Sequence, residues 1–272
     1  MKFLKQQAEW ILKGLWIGAT MMVPGVSGGT MAMVLGIYDR LISALNGLRT
    51  KFRQTFPLLC VFGVSAVIGM VLFSIPVSII LEKFPVLSLY FFIGAVCGGV
   101  PLILRSAKVK KPEPSVIGYP LLGFAVAYAI GKLPEGLFVP DATLTLQTVI
   151  LLLVAGVVLA VALILPGISV SYMLLVLGLY ETVVNAVKGL QILVLLPLAV
   201  GALVGAFATA QIMEKAIAKH PRGTYLIILG FIIGSVVEIF PGITLGTLLP
   251  AVVLFALGIA FIYAISREEE AA

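Results

Sequence analysis

Apolar side chains along this chain recur neither at every second residue nor on one helical face; they run on without a break. Residues 56–81, 86–104, 149–165, 192–212, 225–240 and 248–265 are apolar stretches set between clusters of charge. Stretches of that kind predict membrane-crossing helices, since about 20 apolar residues span a hydrocarbon core of roughly 30 Å. Residues 116–130 form a shorter one. Two further regions, 10–48 and 147–187, are apolar but broken in the middle by Pro24-Gly25-Val26-Ser27 and Pro166-Gly167-Ile168-Ser169.

The broken regions reveal a duplication. Residues 24–47 set over 166–189 are identical at 10 of 24 positions without a gap, and Asp39 falls opposite Glu181. A second block pairs 85–100 with 221–236 and keeps the proline and the spacing of Gly94/Gly98 and Gly230/Gly234. The chain therefore divides into a first membrane repeat, 1–136, with a hairpin at 10–48 and three spans, and a second, 141–272, with a hairpin at 147–187 and three spans. Three spans are an odd number, so the second repeat starts on the opposite face and is inverted. The placement of positive charge agrees with the positive-inside rule. Of 18 Lys and Arg, only Lys83, Lys132 and Lys188 fall outside on this path, which puts both termini in the cytoplasm.

Composition narrows the chemistry. With 61% hydrophobic and 11% charged residues and a mean hydropathy of +1.19, a water-soluble globule is excluded. The expected fold is all-α: a polytopic integral membrane protein with about six full spans and two re-entrant helical hairpins. One histidine, His220, and two cysteines, Cys60 and Cys97, leave no basis for a metal cluster, a disulfide scaffold or histidine acid–base chemistry. No cofactor, no metal and no nucleic-acid partner is expected, and the oligomeric state is not legible. Both cysteines read as small core residues and Trp10 and Trp16 as interface anchors. The polar start, with Lys2, Lys5 and Lys13, is expected to be retained.

Length favours hairpins over pairs of full spans. Residues 10–23 would form about 21 Å of helix and 30–39 about 14 Å, each short of the core thickness. Full spans would bury Asp39, Arg40 and Glu181 in hydrocarbon at about 2.5–3.5 kcal/mol each. A break at mid-depth frees backbone groups that protein, water or substrate must satisfy. Interrupted segments at corresponding places in two repeats mark substrate sites in transporters. The expected site therefore comprises Pro24, Gly25, Ser27, Gly28, Gly29 and Thr30, with Pro166, Gly167, Ser169 and Ser171. Hydroxyls and free amides at helix starts suit an anion, phosphate above all. Lys13, Asp39, Arg40, Glu181 and Glu238 are candidates for headgroup recruitment or coupling. The Gly-x-x-x-G spacings, including Gly201/Gly205, read as close helix contacts.

Met22-Val-Pro-Gly-Val-Ser-Gly-Gly-Thr30 with Leu35-Gly-Ile-Tyr-Asp39, and Leu165-Pro-Gly-Ile-Ser169 with Leu177-Gly-Leu-Tyr-Glu181, resemble the bacterial polyprenyl-phosphate transporter family over nearly the whole chain. The resemblance implies a flippase that returns undecaprenyl phosphate, the lipid carrier of cell-wall precursors, from the outer to the inner leaflet. Its partners would be that anionic lipid and the surrounding membrane. The residues themselves also fit a carrier or channel for a small water-soluble anion. A lipid phosphatase is disfavoured, because no acid–base or metal cluster is visible. In the second motif Val170-Ser171-Tyr172 replaces Gly28-Gly29-Thr30, so the first hairpin carries the greater weight.

Overall fold

The computed structural model describes residues 2–23, 25–109, 113–138, 145–243 and 246–270, and the side chains of 7–23, 25–109, 113–138, 145–243 and 246–265. Pro24, Lys110, Lys111 and Asp141, and the side chains of Lys2, Lys5 and Arg267, lie outside them. All regular structure among the described residues is helical. In chain order the helices are α1 (Lys2–Thr20), α2 (Gly28–Val34), α3 (Tyr38–Gly47), α4 (Phe52–Lys83), α5 (Pro85–Ser106), α6 (Pro114–Ile130), α7 (Leu146–Ile164), α8 (Val170–Val176), α9 (Tyr180–Lys188), α10 (Ile192–Lys219), α11 (Pro221–Ile239) and α12 (Leu248–Glu270).

Six of these, α4, α5, α7, α10, α11 and α12, are long and apolar enough to cross a membrane. They coincide with the six long apolar runs and differ at one place from the full spans of the repeat reading. The α6 helix has 17 residues, about 26 Å, whereas α7 has 19, about 28 Å, although the sequence placed it within a hairpin. The α4 helix wears an apolar coat on nearly every side: Val64, Val67, Val71, Leu72 and Ile75 are all exposed. A patch that large on a soluble protein would be untenable, and here it is the surface offered to lipid.

Four helix pairs form the scaffold: α1 with α4, α7 with α10, α5 with α12, and α6 with α11. Each is seamed by glycine, as the Gly-x-x-x-G spacings suggested. A Cβ on Gly94 would lie 2.1 Å from the Phe255 carbonyl oxygen, one on Gly201 2.0 Å from that of Leu153, and one on Gly230 2.1 Å from that of Pro120. The register ascends together in each seam, as where Gly94 meets Phe255 and Gly98 meets Ile259, so the paired helices run parallel. Apolar helices gain no hydrophobic advantage by leaving lipid for one another; close backbone approach supplies the attraction instead.

The segment after each break differs from the sequence reading. Residues 30–39 are not one half-helix. The α2 and α8 helices last two turns and stop at Gly36 and Gly178, whose φ angles are +74° and +70°. Gly36 N–H donates to the Met33 carbonyl (3.1 Å) and Ile37 N–H to that of Ala32 (3.0 Å); Gly178 and Leu179 repeat the pattern on Leu175 and Leu174 (both 2.9 Å). These are Schellman stops, which require a left-handed residue and hence favour glycine. Beyond the second stop, α9 turns 116° from α8. The sequence signal of both stops is the glycine of Leu-Gly-x-Tyr, which stands at the same place in both repeats.

The scaffold reading has a direct test. Gly94→Val should destabilise the protein by about 1–3 kcal/mol through overpacking of the α5–α12 seam. Gly63→Val, which meets nothing within 4 Å, should leave thermal unfolding in detergent unchanged.

Candidate functional site

The two breaks meet. Ser27 is the N-cap of α2: its Oγ accepts from Thr30 N–H (3.1 Å) and lies 2.9 Å from Thr30 Oγ1. Into this pair of hydroxyls the second break inserts one amide. Gly167 N–H donates to Thr30 Oγ1 (2.8 Å) and Ser27 Oγ (3.2 Å), across 140 residues of chain. Both hydroxyl-bearing residues are buried. Glycine is needed on either side of the contact. A Cβ on Gly29 would press on the Ile164 carbonyl oxygen (3.0 Å) and the Pro166 nitrogen (3.3 Å). Gly167 has φ +87°, and a Cβ there would strike the Phe231 carbonyl oxygen of α11 at 2.4 Å.

The remaining motif residues surround this contact unequally. Gly25 (φ +75°) sits against Ile239 at the end of α11, and Pro166 is buried. Gly28 and Gly29 border an apolar cavity of about 260 Å³ that runs between α1, α3 and α4, past Ile17 and Phe62. Ser169 caps its own helix, accepting from Tyr172 N–H at 3.4 Å, and Ser171 is exposed. The second break therefore contributes backbone to the contact rather than hydroxyls.

From this contact α2 leads toward the start of α11, where Asp39 meets Tyr225, and α8 toward the segment after α6, where Gly136 meets Leu175. At the end of α2, Lys13 Nζ donates to the Leu35 carbonyl (3.0 Å) and pairs with Glu9 Oε1 (3.1 Å). Arg40 Nη1 pairs with the same Glu9 oxygen at 2.6 Å, and its guanidinium lies 4.8 Å from the Trp10 ring centre. Lys13 is 6% and Trp10 2% exposed, so Trp10 is a core residue rather than an interface anchor. Cys60 departs from expectation in the other direction and is exposed on α4. At the end of α8 the partners among the described residues are neutral amides: Gly136 and Leu137 N–H cap the Leu175 (3.0 Å) and Val176 (2.8 Å) carbonyls.

Asp39 accepts a short hydrogen bond from Tyr225 of α11. Glu181 and Glu238 are exposed, away from the contact. Between α1, α3, α4 and α10 opens a polar cavity of about 730 Å³ lined by Arg40, Arg49, Lys51 and Lys215. Asn46 holds one of its walls together, donating to the Ala210 carbonyl (3.0 Å) and to Glu214 (2.7 Å). Sequence reasoning missed Glu9, although its i,i+4 spacing to Lys13 was available. It also missed Tyr225, Asn46 and Glu214, for which no local pattern exists.

Comparison with known proteins follows the same lines. The sequence pattern of an undecaprenyl phosphate translocase-like family matches residues 17–250. The chain is 32% identical over 277 aligned positions to a polyprenyl-phosphate transporter of Staphylococcus aureus, covering 96% of each. It is 30% identical over 244 positions to a polyprenyl-phosphate transporter of Vibrio cholerae, covering 85% of this chain and 76% of that one. No solved structure matches it.

The central contact makes a prediction about stability alone. Ser27→Ala with Thr30→Val leaves the Gly167 N–H without an acceptor, at a cost of about 1–3 kcal/mol. Either single variant, which keeps one acceptor, should lose clearly less in thermal unfolding.

Proposed function

The chain belongs to the undecaprenyl phosphate translocase-like family, and on that premise we propose that it carries polyprenyl phosphate across the cytoplasmic membrane, from outer to inner leaflet, for reuse in cell-wall polymer synthesis. It is a carrier and performs no covalent chemistry on its lipid. The two halves act as inverted repeats, 1–136 and 141–272, each supplying a re-entrant hairpin, with both chain termini in the cytoplasm. The oppositely directed short helices, one ending at Lys13 and the other at Gly136 and Leu137, support that arrangement. So does the gathering of Arg40, Arg49, Lys51 and Lys215 around one cavity, as the positive-inside rule asks of a cytoplasmic face.

The observation that carries the reading is the hydrogen bond from Gly167 into the Ser27–Thr30 pair. A phosphate oxygen accepts hydrogen bonds only, so it can replace both hydroxyls as acceptor for Gly167 while Ser27 and Thr30 turn to donate to it. The closed contact is then the resting state of the headgroup path, and substrate opens it by substitution rather than by exposing bare polar groups. Amides of Gly28 and Gly29, which have no carbonyl partner within their own helix, add donors. A helix of two turns has a weak dipole, so hydroxyls and amides carry the recognition. The isoprenoid tail stays in apolar surroundings, its first units beside Gly28 and Gly29 in the cavity passing Ile17 and Phe62.

Proteoliposomes with labelled polyprenyl phosphate on one leaflet test this. Wild type should equilibrate the label between leaflets, Ser27→Ala with Thr30→Ala should slow it at least tenfold, and Ser78→Ala on the exposed side of α4 should leave it unchanged. Flux of inorganic phosphate without lipid translocation would overturn the reading in favour of a soluble-anion carrier.

A further inference from the structure

We propose that the cavity between α1, α3, α4 and α10 is a second phosphoryl-binding station, with Arg40 as its inner cation and the Glu9 carboxylate as a resident competitor for that cation. The inference rests on the reading that the transported group is a phosphate monoester, and it assigns a place where that group docks outside the central contact. The central contact itself offers only neutral donors, Ser27, Thr30 and Gly167. A monoester carries about −1.5 to −2 charges near neutral pH, so it is attracted first to a site with net positive charge.

The cavity is such a site. Its described walls hold four cations, Arg40, Arg49, Lys51 and Lys215, against one carboxylate, Glu214, which already accepts from Asn46. Arg40 is positioned rather than loose, paired to Glu9 and stacked over Trp10. A planar guanidinium so held presents its remaining donors in the fork that phosphate oxygens fit. Trp10, on the same cavity's wall, has an indole N–H that is buried and makes no hydrogen bond, a donor left over by the fold. Glu9 Oε1 lies between Lys13 Nζ (3.1 Å) and Arg40 Nη1 (2.6 Å), where a carboxylate oxygen takes the place a phosphate oxygen would occupy.

The repeat does not carry these groups into the second half. Positions matching Glu9, Trp10, Lys13 and Arg40 in the repeat are Leu151, Leu152, Ala155 and Thr182. The repeat therefore carries the station's residues at one mouth, the one that α2 leads to. About 10 Å of helix, the length of α2, separates it from the hydroxyl pair at that helix's start.

Trp10 supplies the readout, since the chain has two tryptophans and Trp16→Phe leaves it as the sole indole. In that background, titration with polyprenyl phosphate in nanodiscs and, separately, with inorganic phosphate should change Trp10 emission. Glu9→Gln should tighten the midpoint about fivefold or more, because it removes the competitor, while Arg40→Gln should weaken it at least tenfold. Arg49→Gln with Lys51→Gln, both at exposed positions, should weaken it several-fold and flatten its salt dependence. Response to the lipid alone assigns the station to the headgroup, and response to the free ion as well assigns it to any phosphoryl anion; both support it. Weakening by Glu9→Gln, or wild-type midpoints in Arg49→Gln with Lys51→Gln, would overturn it. Lipid binding lost in Ser27→Ala with Thr30→Ala but untouched by every cavity variant sinks the station and spares the transport function; a wild type that binds no polyprenyl phosphate sinks the transport function itself.

Discussion

A backbone amide cannot be left bare in the middle of a membrane protein, and the architecture is organised around how one such amide is satisfied. Proline and glycine break the chain before α8 and release the Gly167 N–H, for which an unpaired state in hydrocarbon costs several kcal/mol. Its acceptors come from the other break, 137 and 140 residues away. That single requirement pins the hairpin tips together and favours glycine at 29, which lies against the Ile164 carbonyl and Pro166, and at 167, where a Cβ would strike the Phe231 carbonyl of α11. It also explains why α2 is buried on every side from Gly29 to Val34: a helix that presents hydroxyls to the protein's centre has to be in that centre.

Much of this was legible in residue order, because the features concerned are local or periodic. Long apolar runs gave the spans, and Pro-Gly-x-Ser gave the breaks. Gly94 and Gly230 gave the close seams. What the chain order concealed are pairings without periodicity. Nothing near Tyr225 points to Asp39, and nothing near Asn46 points to Glu214, since both links join helices far apart in sequence. The Schellman stops at Gly36 and Gly178 were in plain view, but a glycine in an apolar stretch is common enough in membrane helices to pass as packing. The assignment of Trp10 to the interface failed for a related reason. Its neighbour Phe62 and the guanidinium above it come from α4 and α3, which a reading of α1 alone does not contain.

The two hairpins are related in order and unlike in chemistry. In the first, the carbonyl end of α2 is met by a buried ammonium group, a charge that suits the negative pole of a helix and brings Glu9 and Arg40 with it. In the second, the same end is met by the neutral amides of Gly136 and Leu137. Both solutions satisfy the freed carbonyls, so the backbone requirement did not choose between them. The difference places a cluster of charge beside the end of α2 and uncharged side chains at the matching positions of the repeat.

The glycine seams bear on how such a molecule can move. Two of them, α5 with α12 and α6 with α11, stitch the first half of the chain to the second with backbones nearly touching. Contacts that tight survive small slides and tilts but not separation, because each ångström of gap forfeits the dispersion attraction that holds apolar helices together. The halves therefore cannot swing apart like the jaws of a clamp. Whatever gives way must do so within the stitched frame, where the short helices α2 and α8, which belong to none of the four seams, can shift like valve leaflets in a fixed ring.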